Sequence, residues 1–503
     1  MLKKGRILLL TPNLKGVKDG LNRIQPPLGP MIAAAVMRNN GHEVFIHDAA
    51  LEGWKNQREI DQNTVLIGQS DDEISKVIAK TAPDVIGISA LFSNLMESAH
   101  HIAAIAKRAK PNAKIILGGN HISNAISDYV FNSTHPGNDT PRLLDLEDEN
   151  VDFAMRGEVD NDFPRLVDAI LEKNDVSGIP GLAMRKGKNE YHINAAPERI
   201  GELSVLPHPA RDLVNMEGYF EIGAFHSAKS KSKRVLSVMA SRGCPEKCTF
   251  CTTPEMWGNI VRWRTTDDII SEIKTAKANF NIGEIQFEDD TITARNKNLL
   301  DLCKELEKVG LPWCTPNGTK TNYHLASQPH LYKAMADAGC YQITLACESG
   351  VQRVLDNIIR KNLKVDQIKP AIENAKKAGM FVHTFWILGY PGETYAEMQQ
   401  TVKAAMDSGA DSFSFAILSP LPGTPIYRQV MRENLWWPGR DANDLMYRSS
   451  LVKVDGFDSP EEFEKFVTEA NIKCNKLLQE KDPERFKKKY GADTSERHLV
   501  KQT

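Results

Sequence analysis

Short apolar runs alternate with amphipathic segments along most of this 503-residue chain, and the alternation forms two separate series. Apolar runs of strand length between segments of helical periodicity indicate βαβ units and parallel sheets. The first series predicts a doubly wound sheet over residues 1–195, with strands at Arg6–Leu10, Glu43–His47, Val85–Ser89, Lys114–Leu117 and Asp152–Met155. Its predicted helices are Pro30–Asn40, Asp72–Thr81, Met96–Ala109 and Asp162–Lys173.

The second series follows a polar stretch, residues 196–234, that has the composition of an interdomain linker. It predicts six βα units over residues 235–427, followed by a charged region, 428–503, with helical periodicity. The predicted strands are Val235–Ala240, Glu284–Glu288, Trp313–Asn317, Gln342–Ala346, Phe381–Leu388 and Ser412–Leu418. The fold class is therefore α/β in both series, with a helical C-terminal tail.

Three of the eight cysteines, Cys244, Cys248 and Cys251, follow the first strand of the second series with the spacing C-x3-C-x2-C. One tight loop of this kind can supply three thiolates to a cubane iron–sulfur cluster and leave its fourth iron open. Reactive metal sites keep such an open position for substrate. A zinc knuckle or a chance grouping of thiols is the alternative, although the second C-x2-C pair of a zinc site does not follow.

The charge balance bears on the class of partner that the chain binds. A net charge of −2 without a long basic tract gives no indication of binding to nucleic acid or to a membrane surface. The N-terminus MLKKGRILLLTP lacks the apolar core and cleavage site of a signal peptide, and the longest apolar runs have strand length. We therefore expect a cytoplasmic enzyme with a small-molecule substrate, no nucleic acid and no membrane. Eight cysteines do not form a disulfide framework, and the other five are expected to pack as small hydrophobes.

Ligands of a doubly wound sheet bind where loops leave the carboxyl ends of the strands. The corresponding loops of the first series are rich in small, polar and glycine residues, which let the backbone approach a large flat ligand. The candidate contacts are Asn13, Ser89, Leu91, Phe92, Ser93, Gly118, Gly119, Asn120, Gly157 and Glu158. On this pattern alone, a flavodoxin-like or nucleotide-binding domain fits equally well.

The run CPEKCTFC resembles the cluster loop of radical S-adenosylmethionine (SAM) enzymes, including the aromatic Phe250 before the third cysteine. The resemblance implies a [4Fe–4S] cluster that binds and reductively cleaves SAM, and a partial (β/α)6 barrel for the second series. Chemistry in such barrels gathers at the carboxyl ends of the strands. The candidate SAM contacts there are Phe250, Glu288, Asp289, Asn317, Glu348, Ser349 and Gly389. A carboxylate such as that of Glu288 or Asp289 can accept charge-assisted hydrogen bonds from the ammonium of SAM.

The first series, in which PPLG at residues 26–29 opens the first helix, resembles the Rossmann-like cobalamin-binding domain of B12-dependent radical SAM enzymes. The resemblance adds Leu28 and Gly29 to the candidate contacts and places Leu91 or Phe92 near the lower face of cobalt. The D-x-H-x-x-G motif that supplies a cobalt-binding histidine in other proteins is missing, and His121 has no such context. We therefore expect cobalamin to bind without a histidine ligand. A nucleotide-binding or vestigial domain is the alternative.

Stretches such as GLPWCTPNGT and CYQITLACESGVQRVLDNIIRKNL resemble cobalamin-dependent radical SAM methyltransferases, in particular those that C-methylate a cytidylylated phosphonate. The resemblance implies methyl transfer from SAM through methylcobalamin to an unactivated carbon of a small molecule. It also implies an external electron donor of the flavodoxin or ferredoxin type. B12-dependent radical cyclisation or rearrangement without methyl transfer is the main alternative. Methylation of an sp2 carbon and a cofactor-based sensor without turnover are the others.

Overall fold

The central strands of the first sheet carry nearly continuous apolar runs, as expected when helices cover both faces of a parallel sheet. The computed structural model describes residues 4–481 except 19, 21, 136–142, 228–229, 322–326 and 445–448. The chain divides into two compact units. The first extends to Ile222 and includes Glu255–Trp257 and Leu421–Thr424, and the second comprises the remaining described residues. The domain limits at residues 195 and 234 stay predictions.

The first unit follows the alternation expected from its sequence. Its strands are β1 (Arg6–Thr11), β2 (Leu14–Val17), β3 (Glu43–Asp48), β4 (Gln57–Glu59), β5 (Thr64–Ile67), β6 (Val85–Ser89), β7 (Lys114–Gly118), β8 (Phe153–Met155), β9 (Leu182–Gly187) and β10 (Glu190–Ile193). Its helices are α1 (Leu28–Asn39), α2 (Ala49–Glu52), α3 (Asp71–Thr81), α4 (Met96–Ala109), α5 (Asn120–Thr134), α6 (Asp162–Glu172) and α7 (Met216–Ile222).

The main sheet of this unit is doubly wound. Strands β3, β1, β6, β7 and β8 pair in parallel in that order, and antiparallel β9 and β10 extend one edge. The parallel row has the 2-1-3-4-5 order of flavodoxin-like sheets, in which the direction of winding changes between the first and third strands. These two strands are β1 and β6 here, so the loops that follow them flank the expected ligand crevice. The predicted fold of the first series is confirmed.

Two separate cores hold the helices against this sheet, because successive residues of a strand point to opposite faces. Leu8 of β1 packs in one core with Ile102 of α4. Its neighbour Ile7 packs in the other core with Leu166 of α6. The sheet thereby forms a rigid layer whose strand ends have fixed positions.

Some elements of the first unit were not expected from periodicity. Strands β2, β5 and β4 form a separate antiparallel sheet in that order. Every residue of β4 is exposed, so the strand has no buried face and therefore no apolar alternation. Helix α7 lies within the stretch predicted as a linker, where it buries Met216, Tyr219 and Phe220.

From Val235 onward the second series has the bounds that follow. The strands are β11 (Val235–Val238), β12 (Ser241–Arg242), β13 (Arg262–Trp263), β14 (Glu284–Phe287), β15 (Trp313–Thr319), β16 (Cys340–Glu348), β17 (Phe381–Leu388) and β18 (Ser412–Ile417). The helices are α8 (Thr253–Met256), α9 (Thr266–Phe280), α10 (Asn296–Val309), α11 (Pro329–Asp337), α12 (Ile368–Lys377), α13 (Tyr395–Asp407), α14 (Pro425–Arg432) and α15 (Pro460–Lys481).

The long strands of the second unit form one parallel sheet in chain order, β11-β14-β15-β16-β17-β18. This is the arrangement expected of a partial (β/α)6 barrel, and it brings the six carboxyl ends to one edge. The short strands β12 and β13 pair with each other as an antiparallel ribbon.

The described part of the predicted C-terminal region includes the long helix α15, while residues 482–503 lie outside the described residues. Over the described ranges, no helix combines the length and the apolar character needed to cross a bilayer.

Candidate functional sites

The three cysteines of the C-x3-C-x2-C motif lie in the loop between β12 and α8. Gly243 opens this loop with a φ of +100°, and a Cβ at this position would lie 2.5 Å from the carbonyl oxygen of Ile260. Only glycine accepts both constraints without strain. The backbone N–H of Cys244 donates to the carbonyl of Gly258 at 3.3 Å, and that of Cys251 donates to Cys248 at 3.1 Å. The loop is therefore folded on itself.

Two side chains anchor the cysteine loop to the rest of the second unit. Thr249 donates through its N–H to Ile359 at 2.9 Å and through its hydroxyl to Ile358 at 2.7 Å. Glu246, which lies between the first two cysteines, forms an ion pair with Lys320 and accepts a hydrogen bond from the N–H of Asn362 at 3.1 Å. These contacts join the loop to the segments that follow β15 and β16.

The chemistry of the donor set fits an iron–sulfur cluster. Burial raises the pKa of Cys244 to about 11 and that of Cys248 to about 12, so both thiols are protonated until a metal displaces the proton. No group of three His, Cys, Asp or Glu side chains within the described ranges is arranged around a single metal ion. A cubane requires a different arrangement, because each thiolate binds an iron of its own.

The two carboxylates after β14 have different environments. Both oxygens of Asp289 are used within the protein, since they accept hydrogen bonds from the N–H of Ala240 at 3.0 Å and the hydroxyl of Ser241 at 2.5 Å. Burial raises the pKa of Asp289 to about 7. Glu288 accepts a hydrogen bond from Nδ1 of His226 at 2.8 Å through Oε2, while its buried Oε1 has no partner. A buried acceptor without a partner is costly unless a ligand supplies the donor.

The predicted contacts on the other strand ends are also held by neighbours. Asn317 donates through its side-chain amide to the carbonyl of Glu288 at 2.8 Å. Phe250 lies 6.0 Å from Tyr390 between ring centroids, and the buried hydroxyl of Tyr390 has no partner. Gly389 has a φ of +86°, and its Cβ would lie 2.7 Å from the ring of Phe463. Packing against α15 therefore explains this glycine without any ligand.

Glu348, the last residue of β16, has a φ of +63°, a backbone conformation that costs free energy for a residue with a side chain. Its Oε1 accepts a hydrogen bond from the ammonium of Lys361 at 2.9 Å, and the same ammonium donates to the carbonyl of Ala346 at 2.8 Å. The hydroxyl of the fully buried Ser349 contacts that of Thr401 at 3.1 Å. Glu348 is therefore the better placed of the two predicted residues for contact with a ligand.

Sequence reasoning missed His226 and Lys361, the partners of Glu288 and Glu348, and it missed the pair that Glu246 forms with Lys320. The position of Glu246 between two motif cysteines was the one available signal. His226 and Lys320 lie far along the chain from the groups that they contact, whereas Lys361 lies 13 residues after Glu348.

In the first unit, the loop after β1 is held by Asn13. Its side-chain amide donates to the carbonyl of Gln69 at 2.9 Å, and its Oδ1 accepts from the N–H of Gln69 at 3.1 Å. The predicted contact Asn13 is therefore buried and shapes the turn before α3. Leu28 and Gly29 begin α1, and a Cβ on Gly29 would meet nothing within 4 Å.

The loop after β6 presents an apolar surface. Leu91 is 51% exposed and Phe92 is 54% exposed, next to the half-buried Ser89 at the end of the strand. The buried hydroxyl of Ser93 lies 2.8 Å from Nδ1 of His121, whose Nε2 lies 3.4 Å from Asp145. Both ring nitrogens of His121 thus have partners within the protein.

Glycines line the loops after β7 and β8. Gly119 has a φ of +107°, and its Cβ would lie 2.4 Å from the carbonyl oxygen of Ala90. The adjacent Gly118 has no atom within 4 Å of its Cβ position, so it leaves open space for a ligand. Asn120 accepts a hydrogen bond from the amide of Asn124 at 3.2 Å.

Beyond β8, the N–H of Gly157 donates to Ser123 at 2.9 Å, and Glu158 is buried. Exposed apolar side chains beside open glycines fit one face of a large, largely apolar ring.

Comparison with known proteins assigns each unit. Residues 238–405 match the Radical SAM superfamily, and residues 15–140 match the B12 binding domain. The chain is 32% identical to cytidylyl-2-hydroxyethylphosphonate methyltransferase of Streptomyces wedmorensis, over 93% of this chain and 90% of that protein.

Two solved structures share the fold. The cobalamin-dependent SAM radical enzyme OxsB, with aqua-cobalamin and SAM bound, has a TM-score of 0.68 at 15% identity, over 97% of this chain and 72% of its own. The radical SAM methyltransferase TsrM of Kitasatospora setae, with cobalamin and a [4Fe–4S] cluster bound, has a TM-score of 0.64 at 16% identity, over 92% of this chain and 81% of its own.

Proposed function

This chain belongs to the cobalamin-dependent radical SAM methyltransferases, and from that membership we propose that it methylates an unactivated carbon of a cytidylylated phosphonate. The predicted family, the methyl transfer and the three cofactors of the family are confirmed: a [4Fe–4S] cluster, SAM and cobalamin. The rearrangement alternative loses support, because the full-length relative is a methyltransferase.

The observation that carries the substrate class is the match to the phosphonate methyltransferase across both units. A match confined to the cofactor domains would support the chemistry alone. This match also includes the regions outside the two family domains, where residues that select a substrate are free to differ between relatives.

We assign the cofactor contacts to the residues whose geometry leaves them available. Cys244, Cys248 and Cys251 hold the cluster. Glu288 has one unpartnered buried oxygen for the ammonium of SAM, and His226 keeps its carboxylate in a fixed orientation. Asp289 and Asn317 support the site without contacting SAM themselves, because their side chains bond the end of β14 to its neighbours.

Glu348 is the proposed acceptor for ribose hydroxyls, with Phe250 against the adenine. In the first unit, Leu91 and Phe92 would lie against the corrin, and Gly118 leaves room for it. Bound in these sites, the cluster supplies the electron that cleaves SAM, and cobalamin carries the methyl group. The protein orients these groups and excludes water, which is the usual division of labour in a cofactor enzyme.

The proposal also includes a small-molecule substrate, an electron donor of the flavodoxin or ferredoxin type, no nucleic-acid partner and a cytoplasmic location. The four predicted segments, 1–195, 196–234, 235–427 and 428–503, are proposed as its domain organisation.

The test is an anaerobic assay of the reconstituted full-length enzyme with cytidylyl-2-hydroxyethylphosphonate, deuterated at the carbon to be methylated. We expect a methylated product, one S-adenosylhomocysteine and one 5′-deoxyadenosine per turnover, with deuterium in the deoxyadenosine. The unnucleotidylated phosphonate is the matched control and should react poorly.

Two outcomes would contradict the proposal. Methylation of another compound class with no turnover of this substrate would overturn the substrate. Methylated product without deoxyadenosine would place the enzyme with those that methylate sp2 carbons.

A further inference from the structure

Two lysines are buried beside the cysteine loop. The side chain of Lys361 is 5% exposed and that of Lys320 is 3% exposed. Lysine is almost never fully buried unless it is paired, because removal of its ammonium from water costs several kcal/mol. Each of these two has a carboxylate partner, Glu348 for Lys361 and Glu246 for Lys320.

Fold stability does not explain these pairs. Buried ion pairs can often be replaced by apolar side chains without loss of stability, since the attraction barely offsets desolvation. Both pairs also lie at the loop that carries the cluster ligands, not in the cores of the sheets. Glu246 is within the loop itself, and Glu348 ends the strand before the segment to which Thr249 is bonded. The position of the pairs therefore points to the cluster.

The electrostatic contacts support this connection. The ammonium of Lys361 interacts electrostatically with the sulfur of Cys248. Lys320 interacts in the same way with Cys244. Carboxylates surround the same loop, including Glu246, Glu348 and Asp290. Three thiolates and these carboxylates give the site a negative charge that grows by one unit when the cluster takes up an electron.

We propose that Lys361 and Lys320 hold the reduction potential of the cluster at a value that its electron donor can reach. A buried ammonium stabilises the more negative, reduced form through a Coulomb interaction that the low local dielectric strengthens. The ammonium of Lys361 is fixed by both Ala346 and Glu348. Both lysines are positioning residues for the electrostatics of the cluster, and they take no part in bond breaking. The inference rests on the cluster of the family and not on the proposed substrate.

The test measures the potential of the cluster in reconstituted full-length protein without SAM, by potentiometry followed with electron paramagnetic resonance. Lys361→Met should shift the potential to a more negative value. Glu348→Gln should shift it in the opposite direction, and Lys361→Arg should restore the parent value. Lys333→Met, which removes an exposed lysine of α11, is the matched control and should leave the potential unchanged.

Opposite shifts of the potential in Lys361→Met and Glu348→Gln would show that charge causes them. A loosened loop would shift the potential in the same direction whether the side chain removed was positive or negative. An unchanged potential in Lys361→Met, or shifts of the same sign in Lys361→Met and Glu348→Gln, would overturn the proposal. Should Lys361→Met fail to assemble a cluster, Lys320→Met and Glu246→Gln decide in the same way. Failure of the phosphonate assay alone leaves this result intact.

Discussion

The strand ends of the two units differ in the side chains that they present to a cofactor. At the strand ends of the barrel, buried carboxylates already have partners, as in Glu348 with Lys361 and Glu288 with His226. At those of the doubly wound sheet, the loop after β6 exposes Leu91 and Phe92. Contiguous exposed apolar side chains mark ligand-binding surfaces, whereas buried ion pairs must be satisfied before any ligand arrives.

The difference follows from the chemistry of the two ligands. A cluster and SAM carry charge, so a site for them needs charges that are held in place before binding. A corrin presents a broad apolar face, and its binding surface needs open space and apolar contact more than it needs charge. We expect substitutions in the barrel to act on assembly and potential, and substitutions in the first unit to act on affinity.

The largest effect is expected from Cys248→Ala. Removal of one of three thiolates leaves an iron without its protein ligand, so iron and acid-labile sulfide should fall to background after reconstitution. Cleavage of SAM should be lost, while cobalamin should still bind. Iron analysis and the visible absorption of the cluster measure the first result, and cobalamin retained on a desalting column measures the second.

Cys303→Ala is the matched control, since Cys303 is a buried cysteine of α10 outside the loop. It should assemble a cluster like the parent protein. Full iron content in Cys248→Ala would contradict the assignment of the cluster to this loop. Loss of cobalamin together with iron would contradict the assignment of the two cofactors to separate sites.

Gly118→Val should nearly abolish cobalamin binding and leave the fold intact. The Cβ position of Gly118 meets no atom within 4 Å, so a larger side chain fits the free protein and occupies the space left for the ligand. We expect the affinity to fall by at least about a hundredfold, the equivalent of about 2.8 kcal/mol. Equilibrium dialysis measures the affinity, and circular dichroism checks the fold.

Gly178→Val is the control, because its Cβ position is also open and it is not among the predicted cobalamin contacts. Equal loss of affinity in both variants would show that the effect arises from general destabilisation. Unchanged affinity in Gly118→Val would remove this turn from the cobalamin site.

Much of the fold could be predicted because its strands are buried. Strand Phe381–Leu388 and helix Met96–Ala109 have the predicted bounds, since each has an uninterrupted apolar or amphipathic pattern. The exposed strand β4 could not be predicted, because its pairing with β5 depends on residues elsewhere in the chain and not on a buried face of its own.

The candidate sites divide in the same way. The cysteines and the strand-end positions of Glu288 and Glu348 follow from motif spacing and from the rule that βα sites lie at carboxyl ends. Sequence could not distinguish Glu288 from Asp289, because the two differ only in their partners, His226 for the first and Ala240 and Ser241 for the second. Lys361 was missed because its contact with Glu348 is likewise a matter of partners that the sequence does not show.

A smaller effect is expected from the double change Leu91→Ser and Phe92→Ser. About half of each side chain is already exposed, so the ligand can cover only that part, and each contributes about 1 kcal/mol to binding. Cobalamin affinity should fall by roughly tenfold to thirtyfold. The stability of the cofactor-free protein should fall by less than the affinity, because only the covered half of each side chain contributes to it.

Equilibrium dialysis and thermal unfolding give the two quantities, with the exposed Val205→Ser as control. A fall in the stability of the cofactor-free protein as large as the fall in affinity would show that these side chains serve the fold. It would also remove the contrast with the barrel.

The smallest effect concerns a pH-sensitive cluster of charges in the first unit. His100 lies 2.7 Å from Asp148 and 3.1 Å from Asp145. Burial lowers the pKa of His100, but hydrogen bonds and charge from the two aspartates outweigh burial, and the pKa is raised above its usual value. A histidine whose pKa is raised by folding stabilises fully below its unfolded pKa of about 6.5, and this contribution is lost as pH rises through the folded pKa. The pKa of Asp145 is lowered, so its own contribution is lost only in strong acid.

His100→Gln should therefore lower the melting temperature by a few degrees near pH 6, and the difference from the parent should shrink as pH rises, in keeping with about 1 kcal/mol in a unit of this size. His101→Gln, at the more exposed neighbouring position, should show no such trend. A difference that is constant with pH would mean that His100 stabilises the first unit by packing alone.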